Sequence, residues 1–222
     1  MPDLNPTIDA RMIKVGSTWA NTVGDGVTAN SVATSTAHWN SGINVIDLTA
    51  FNTTQVERYF VEFNTSGVTS TPSSATFKLY GKSNDAADVI CVQASFASAG
   101  AIVTGDWDSW NESSPVTYTD ELETWSTSGY NEFTITAAGL SAMESLSEFQ
   151  MICLEADNDY DQSSAGSGLS KSSGYYTRNE SGKEPILSYV EAGGGGETTT
   201  PLNPMFTVGG GLTFKGGTIT IK

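Results

Sequence analysis

Short runs in which apolar and polar residues alternate recur along most of the chain. Tyr59, Val61 and Phe63, for example, fall on one face of such a run. A period of two is typical of β-strands, because successive side chains of a strand point to opposite faces of the sheet. Residues 88–94 and 149–156 are apolar on both faces, as strands inside a sandwich can be. The pattern therefore predicts an all-β chain.

The spacing of these runs and the scarcity of helical periodicity predict an antiparallel β-sandwich, or jelly roll. One short helix is expected at about 139–147, where Leu140, Met143 and Leu146 recur at helical spacing. Residues 1–55 are rich in Gly, Asn, Thr and Ala. We interpret them as edge strands and loops of the same sandwich. The strands expected there are 11–15, 31–37 and 43–49.

A change of composition divides the chain into a main domain and an appendage. We assign residues 1–192 to the sandwich and residues 193–200, four glycines followed by Glu and three threonines, to a linker. Residues 201–222 alternate again and contain glycine turns, which predicts a C-terminal β extension. Its apolar positions are Phe206, Val208, Leu212, Phe214, Ile219 and Ile221.

This C-terminal tail, residues 201–222, is too short to bury its own apolar face. It must therefore dock on another surface. One alternative is a β-hairpin that completes its own domain. The other is docking on a neighbouring subunit, which we favour because the glycine linker separates the tail from the sandwich.

The charge balance excludes several kinds of partner. The chain has 10 basic and 25 acidic residues, a formal net charge of −15 at pH 7. Such a surface repels phosphate backbones and anionic lipids, so we expect neither nucleic acid nor membrane as a partner.

No apolar run approaches the ~18 residues needed to cross a bilayer. The first residues lack the basic and apolar regions of a secretory signal peptide, so none is expected.

Few residues are suited to catalysis. His38 is the single histidine, and the cysteines are Cys91 and Cys153, which nearly excludes the common zinc and histidine-based nucleophilic sites. The chain has no G-x-S-x-G and no C-x-x-C motif, and no acidic pair stands out as a glycosidase pair. We therefore expect a protein that is not an enzyme. Both cysteines lie in apolar runs. They are expected to be small buried side chains. The alternative is one disulfide between neighbouring strands.

Residues 106–112, D-W-D-S-W-N-E, contain a candidate ligand-binding surface. Here Trp107 and Trp110 lie beside Asp106 and Asp108. Aromatic rings pack on the C–H faces of sugars, and carboxylates accept hydrogen bonds from their hydroxyls. The alternative is that the tryptophans are core residues that anchor a loop. Exposed rings would favour sugar binding, and buried rings would favour a role in assembly.

An acidic loop contains the candidate metal ligands Asp157, Asp159 and Asp161. Carboxylates at every second position of a loop can present oxygen atoms to Ca²⁺. Gln162 and Gly168 stand where an EF-hand loop has Gly and Glu. The alternative is a solvated loop whose carboxylates cap turns. Calcium is the only cofactor that the sequence suggests.

Three blocks of sequence carry a family resemblance. Residues 58–80 contain R-Y-F-V-E-F-N-T-S-G-V and S-S-A-T-F-K-L-Y, and residues 131–160 contain N-E-F-T-I-T-A-A-G-L and M-I-C-L-E-A-D-N-D-Y. Residues 175–190 read Y-Y-T-R-N-E-S-G-K-E-P-I-L-S-Y-V. Over roughly residues 55–191 the chain resembles the DNRLRE/disaggregatase-related jelly-roll modules. The resemblance implies a sandwich of the carbohydrate-binding-module type, which binds or builds rather than catalyses. Such modules occur in secreted glycan-active proteins, cell-surface proteins and tailed-phage virion proteins.

The function expected from these features is that of a structural protein of a tailed-phage particle. It would be a capsid decoration, head fibre or tail appendage, assembled in the host cytoplasm and located in the virion. Its partners would be other virion subunits or further copies of itself in a homo-oligomer. One alternative is a carbohydrate-binding or adhesive module for a host-surface glycan. Another is an extracellular subunit of a bacterial filament or surface layer. Fold alone does not decide between them.

Overall fold

The computed structural model describes residues 1–23, 26–34, 42–48, 53–164, 168 and 170–192. The helices in this part of the chain are α1 (Ala20–Val23) and α2 (Ala137–Ser145), with a 3-10 turn at Thr104–Asp108 and a π-helical turn at Ala156–Tyr160. None of the described helices is long and apolar enough to cross a membrane. The strands are β1 (Asp3–Leu4), β2 (Pro6–Gly16), β3 (Ser31–Ala33), β4 (Gly42–Leu48), β5 (Thr53–Asn64), β6 (Ser74–Asp85), β7 (Val89–Gln93), β8 (Tyr130–Thr134), β9 (Glu148–Glu155), β10 (Ser170–Tyr175) and β11 (Ile186–Val190).

The strands form two antiparallel sheets that pack together, which confirms the predicted all-β sandwich. In the first sheet, β6 lies between β8 and β11, and β1 adds to β11. In the second sheet, β2 runs along one side of β5, while β4 and β9 share its other side. β3 flanks β2, β7 flanks β9, and β10 flanks β4. β10 also pairs with the end of β6 and so connects the two sheets.

The N-terminal strands lie deeper in the sheet than the sequence indicated. β2 pairs with β5 along most of its length, and β4 lies between β5 and β10. Both are interior strands, so the expectation that they form edges was wrong, whereas β3 fits it. The composition of residues 1–55 was misleading, because Gly and Asn are less frequent in interior strands than in turns and loops. Asp9 of β2 is buried, and its carboxylate accepts a hydrogen bond from the Tyr59 hydroxyl at 2.8 Å.

The second sheet is covered by apolar side chains on both faces. Between the two sheets, Phe63 of β5 packs with Phe77 of β6. On the opposite face, Phe60 of β5 contacts Phe96 and Trp107, which belong to the segment between β7 and β8. This second core explains why β7 and β9 are apolar on both faces.

Cys91 of β7 and Cys153 of β9 lie directly opposite each other in the ladder. Both are buried free thiols, so they are small buried side chains and do not form the alternative disulfide. Burial raises the pKa of the Cys153 thiol well above its usual range. Because the thiolate is the reactive form, this thiol is held in its less reactive state.

The helix expected at 139–147 is confirmed as α2, shifted by two residues towards the N-terminus. Thr136 provides the N-cap, and its hydroxyl accepts a hydrogen bond from the Gly139 N–H at 3.3 Å. Such a cap satisfies one of the free N–H groups of the first turn. Met143 is buried, whereas Leu146 lies just beyond the helix and is exposed.

Candidate functional site

The two tryptophans of the predicted ligand surface lie in the second core. Trp107 is completely buried and Trp110 is 6% exposed. The 3-10 turn turns the Trp107 ring inwards, and its indole N–H donates to the Thr22 carbonyl at 3.1 Å. The Trp110 ring stacks on Tyr160 with 6.3 Å between the ring centroids. Both tryptophans are therefore core residues, as in the alternative interpretation, and the Trp107 ring has no face accessible to a sugar.

The neighbouring carboxylates hold loops together. Asp106 is buried, and it accepts hydrogen bonds from the Ala97 N–H at 2.7 Å and the Val103 N–H at 2.8 Å. Asp108 accepts one from the Gly26 N–H at 2.6 Å. Asp106 therefore fastens the segment that precedes the 3-10 turn, and Asp108 connects that turn to the N-terminal part of the chain. Trp110, one of the four predicted ligand-binding residues, lines a cavity.

A buried ion pair beside the tryptophans was not predicted. Arg58 and Asp159 are both fully buried, and the guanidinium donates to the two carboxylate oxygens at 2.7 and 2.8 Å. A third guanidinium N–H donates to the Trp107 carbonyl at 2.8 Å. The guanidinium carbon lies 4.2 Å from the centroid of the Trp107 ring, a cation–π distance. A signal was present in the sequence, since Arg58 occupies an apolar position between Val56 and Phe60.

The predicted calcium ligands have separate surroundings. Asp159 is bound to Arg58, Asp157 is paired with the Lys171 ammonium, and Asp161 is exposed. The backbone explains this separation. Residues 156–160 form a π-helical turn capped by the Glu155 carboxylate, which accepts from the Asn158 N–H at 2.8 Å. The turn directs Asp159 into the core and leaves Asp157 outside.

Asp157 instead meets two carboxylates from other loops. Asp88, Glu121 and Asp157 each have an oxygen atom within 4.8 Å of the others. Partial burial, reinforced by the neighbouring carboxylates, raises the pKa values of Asp88 and Glu121. Lys171 is the cation beside this acidic cluster, and its ammonium also lies 3.6 Å from a Glu155 carboxylate oxygen. The sequence could not have shown this cluster, because its members are far apart in the chain.

Removal of divalent cations is expected to leave the stability of the protein unchanged. Of the predicted calcium ligands, Asp159 is bound to Arg58 and Asp157 to Lys171, so these carboxylates already have cationic partners. Adding EDTA should therefore shift the melting temperature by less than about 1 °C, since an ion that is not bound contributes no stabilisation. Differential scanning calorimetry with and without EDTA measures this shift. A fall of several degrees, reversed by added Ca²⁺, would instead establish a calcium site.

Three half-buried tyrosines form a patch on the outer face of the first sheet. Tyr80 meets Tyr130 and Tyr176 edge to face, with ring centroids 5.2 and 5.8 Å apart. The Lys183 ammonium lies 4.0 Å above the Tyr176 ring, and the Tyr130 hydroxyl donates to the Glu184 carbonyl at 3.2 Å. These contacts fasten the loop between β10 and β11 to the sheet. Each of these rings therefore has a contact within the protein.

Two cavities lie on either side of the chain where it leaves β7. The first, of about 210 Å³, is bounded by Gln93–Ser95, Ser109–Asn111, Ser114 and Val116. The second, of about 420 Å³, is bounded by Gln93–Phe96, Ala99, Ser145–Glu148 and Gln150. Gln93, Ala94 and Ser95 belong to both linings, so this segment of the chain separates the two cavities.

No protein-family model matches the chain, and no curated protein matches it either.

Proposed function

We propose that the chain is a non-enzymatic structural protein of a tailed-phage particle, with its C-terminal tail docking on neighbouring subunits. The observation that carries the proposal is the extent of the sandwich core. Within the described residues, both core clusters are formed between Ile8 and Tyr189, which gives the sandwich two packed layers of side chains. The tail lies outside the described residues, and its part in the proposal rests on its alternating sequence.

A covered sheet edge supports the proposal that the tail, and not the sandwich, makes the subunit contacts. The outer edge of β7 is hydrogen-bonded to the segment 116–122, from the Gln93 N–H to the Val116 carbonyl at 2.9 Å and from the Leu122 N–H to the Val89 carbonyl at 2.8 Å. A covered edge cannot accept a further strand, which protects a sheet against uncontrolled association. The proposal therefore places the subunit contacts on the tail.

The docking mechanism follows from the tail sequence. Its alternating apolar residues become buried when the tail adds to an edge or fills a groove of its partner, and its backbone groups find hydrogen-bond partners there. The linker 193–200 gives the tail its reach. The net charge of −15 keeps crowded copies soluble before they assemble.

Removing the tail is expected to abolish self-association and leave the sandwich folded. Light scattering should give the full chain a mass that is a multiple of 23.4 kDa, and residues 1–192 the mass of a monomer. Circular dichroism and the melting temperature should show that the truncated chain remains folded. A full-length variant with Phe206→Asp and Phe214→Asp is the matched control, because it keeps the length of the tail and removes its apolar face.

Two results would contradict the proposal in different ways. Unfolding of the truncated chain would show that the tail belongs to the core of its own domain. A monomeric full chain at high concentration would exclude self-association, and the tail would then need a different protein as its partner. The burial of Trp107 and Asp106 removes the surface on which the sugar-binding alternative was based.

A further inference from the structure

We propose that Cys91 and Cys153 are a site of covalent modification, at which a small disulfide oxidant joins the two thiols in a reversible cross-strand disulfide. The structure shows the reduced state, in which both thiols are free. The cross-link is the change that this reduced protein undergoes when an oxidant reaches it. The chemistry concerns the sandwich alone and does not depend on assembly through the tail.

The position of the two cysteines in the ladder carries the inference. Cys91 of β7 and Cys153 of β9 lie directly opposite each other in an antiparallel pair. The Cys91 N–H donates to the Thr119 hydroxyl at 3.0 Å, and the Cys91 carbonyl accepts from the Tyr118 N–H at 2.9 Å. Because the backbone groups of Cys91 point away from β9, the two cysteines form a non-hydrogen-bonded pair, the kind in which facing side chains lie closest.

This kind of pair has the spacing of a disulfide. The Cα atoms of a non-hydrogen-bonded antiparallel pair lie ~4.5 Å apart, and disulfides join Cα atoms that are ~4.4–6.8 Å apart. Both side chains belong to the core between the two sheets, so they lie on the same face of the ladder. The Cys153 thiol is hydrogen-bonded to the Cys91 thiol. The two sulfur atoms are therefore already neighbours, and the bond needs no change of strand register.

Burial makes the reaction slow in the folded protein. Cys91 and Cys153 are the only cysteines of the chain, and both are completely buried. Attack on an oxidant requires a thiolate, and burial raises the pKa of the Cys153 thiol well above its usual range. We expect oxidation to follow local opening of β7, because the outer side of this strand is held by the segment 116–122 rather than by another of the strands.

The reaction is a pair of thiol–disulfide exchanges with oxidised glutathione as the oxidant. The thiolate of one cysteine attacks a sulfur atom of the oxidant, which forms a mixed disulfide and releases one glutathione thiolate. The thiolate of the other cysteine then attacks the protein sulfur of the mixed disulfide and releases the second glutathione. The two cysteines lose two electrons and two protons, and the oxidant takes them up as two glutathione thiols.

The cross-link is expected to stabilise the sandwich. It closes the loop of chain from Cys91 to Cys153, and such a closure restricts the unfolded chain more than the folded one. The melting temperature should therefore rise by at least about 5 °C. Thiols stay reduced in the cytosol but not outside the cell, so in the proposed phage particle the cross-link would form after release. This timing, unlike the chemistry, rests on the proposed function.

Intact-mass spectrometry of the full chain tests the cross-link. The folded chain is incubated with oxidised glutathione at about pH 8, where thiols begin to ionise, and free thiols are then blocked with N-ethylmaleimide in urea. The reduced chain should take up two N-ethylmaleimide groups. The oxidised chain should take up none and, before blocking, be about 2 Da lighter, because two hydrogen atoms are lost. Dithiothreitol should restore both thiols and the original melting temperature.

Exchanging two neighbouring residues of β7 provides the matched control. Cys91→Val combined with Val92→Cys keeps two cysteines, but the moved thiol points to the opposite face of the sheet, where Val92 is buried in the second core. This variant should form no cross-link and gain no stability from the oxidant. Cys153→Ala leaves one thiol, which can form only a mixed disulfide with glutathione. Circular dichroism checks that both variants are folded.

Each outcome supports or overturns the inference. A cross-link found in the native chain, mapped to a disulfide-joined peptide pair that contains Cys91 and Cys153, supports it. The inference is overturned if the folded chain keeps both thiols after about 24 hours in the oxidant, beyond the seconds to hours that disulfide formation takes. It is also overturned if only mixed disulfides with glutathione form, or if the exchanged variant cross-links as readily as the unmodified chain. None of these readouts measures self-association, so the proposed assembly function is tested separately.

Discussion

Asp159→Ala is expected to lower the free energy of unfolding by about 3–5 kcal/mol, the usual cost of leaving one charge of a buried ion pair uncompensated. The substitution removes both carboxylate acceptors of the Arg58 guanidinium, which is fully buried and, among the described residues, retains only the Trp107 carbonyl as a hydrogen-bond acceptor. Urea denaturation followed by circular dichroism measures the difference. Because proteins of this size are only marginally stable, the variant should lose a large part of its stability.

Two control variants separate the buried charge from the general effect of a substitution. Arg58→Met combined with Asp159→Leu removes both charges and should recover most of the lost stability, since apolar residues of similar volume often replace a buried pair at little cost. Lys78→Ala breaks the Lys78–Glu132 pair, whose partners are 23% and 60% exposed, and should cost less than about 1 kcal/mol. Equal losses for Asp159→Ala and Lys78→Ala would show that Asp159 is not buried in solution.

Trp107→Ala is the second substitution with a large expected effect, a loss of about 3–5 kcal/mol in the free energy of unfolding. The ring is completely buried, packs 6.4 Å from the Phe60 ring centroid and lies beneath the Arg58 guanidinium. Removing it leaves a cavity in the second core and leaves the Thr22 carbonyl without its donor. The same urea denaturation provides the measurement.

Trp107→Phe is the matched variant for this position. It keeps an aromatic ring in the core but loses the hydrogen bond to Thr22, so we expect its cost to be well below that of alanine. If Trp107→Ala unfolded at the same urea concentration as the unmodified chain, the ring could not belong to the core. A sugar-binding role for the exposed ring would then return as the better interpretation.

Local periodicity was sufficient to predict most of the strands and the single longer helix. The run that contains Tyr59, Val61 and Phe63, for example, became β5. Strand and helix patterns depend on residues two to four positions apart, so a single sequence displays them. The two-sided apolar runs at β7 and β9 also indicated strands buried on both faces.

The strand β10 was missed because its sequence gives no such signal. It reads S-K-S-S-G-Y, without alternating apolar residues. Polar contacts help to hold it in place, including the Ser173 hydroxyl, which donates to the Ala87 carbonyl at 2.7 Å. Gly174 allows the close approach, since a Cβ atom there would lie 2.1 Å from the Ser83 hydroxyl oxygen. Both contacts depend on strand pairing with residues far away in the chain.

The sequence by itself determined the all-β class, the approximate positions of the main strands, the acidic charge and the alternating tail. Only the tertiary structure decided that Trp107 is a core residue, that Arg58 pairs with Asp159 across 101 positions of sequence, and that Asp157 meets Asp88 and Glu121. The physical reason is the range of the interactions. Secondary structure follows from neighbouring side chains and backbone preferences, whereas burial and charge pairing depend on which distant strands and loops meet. The two cavities beside the end of β7 also belong to the second kind, because their walls come from three separate segments that only the packing of the sandwich brings together.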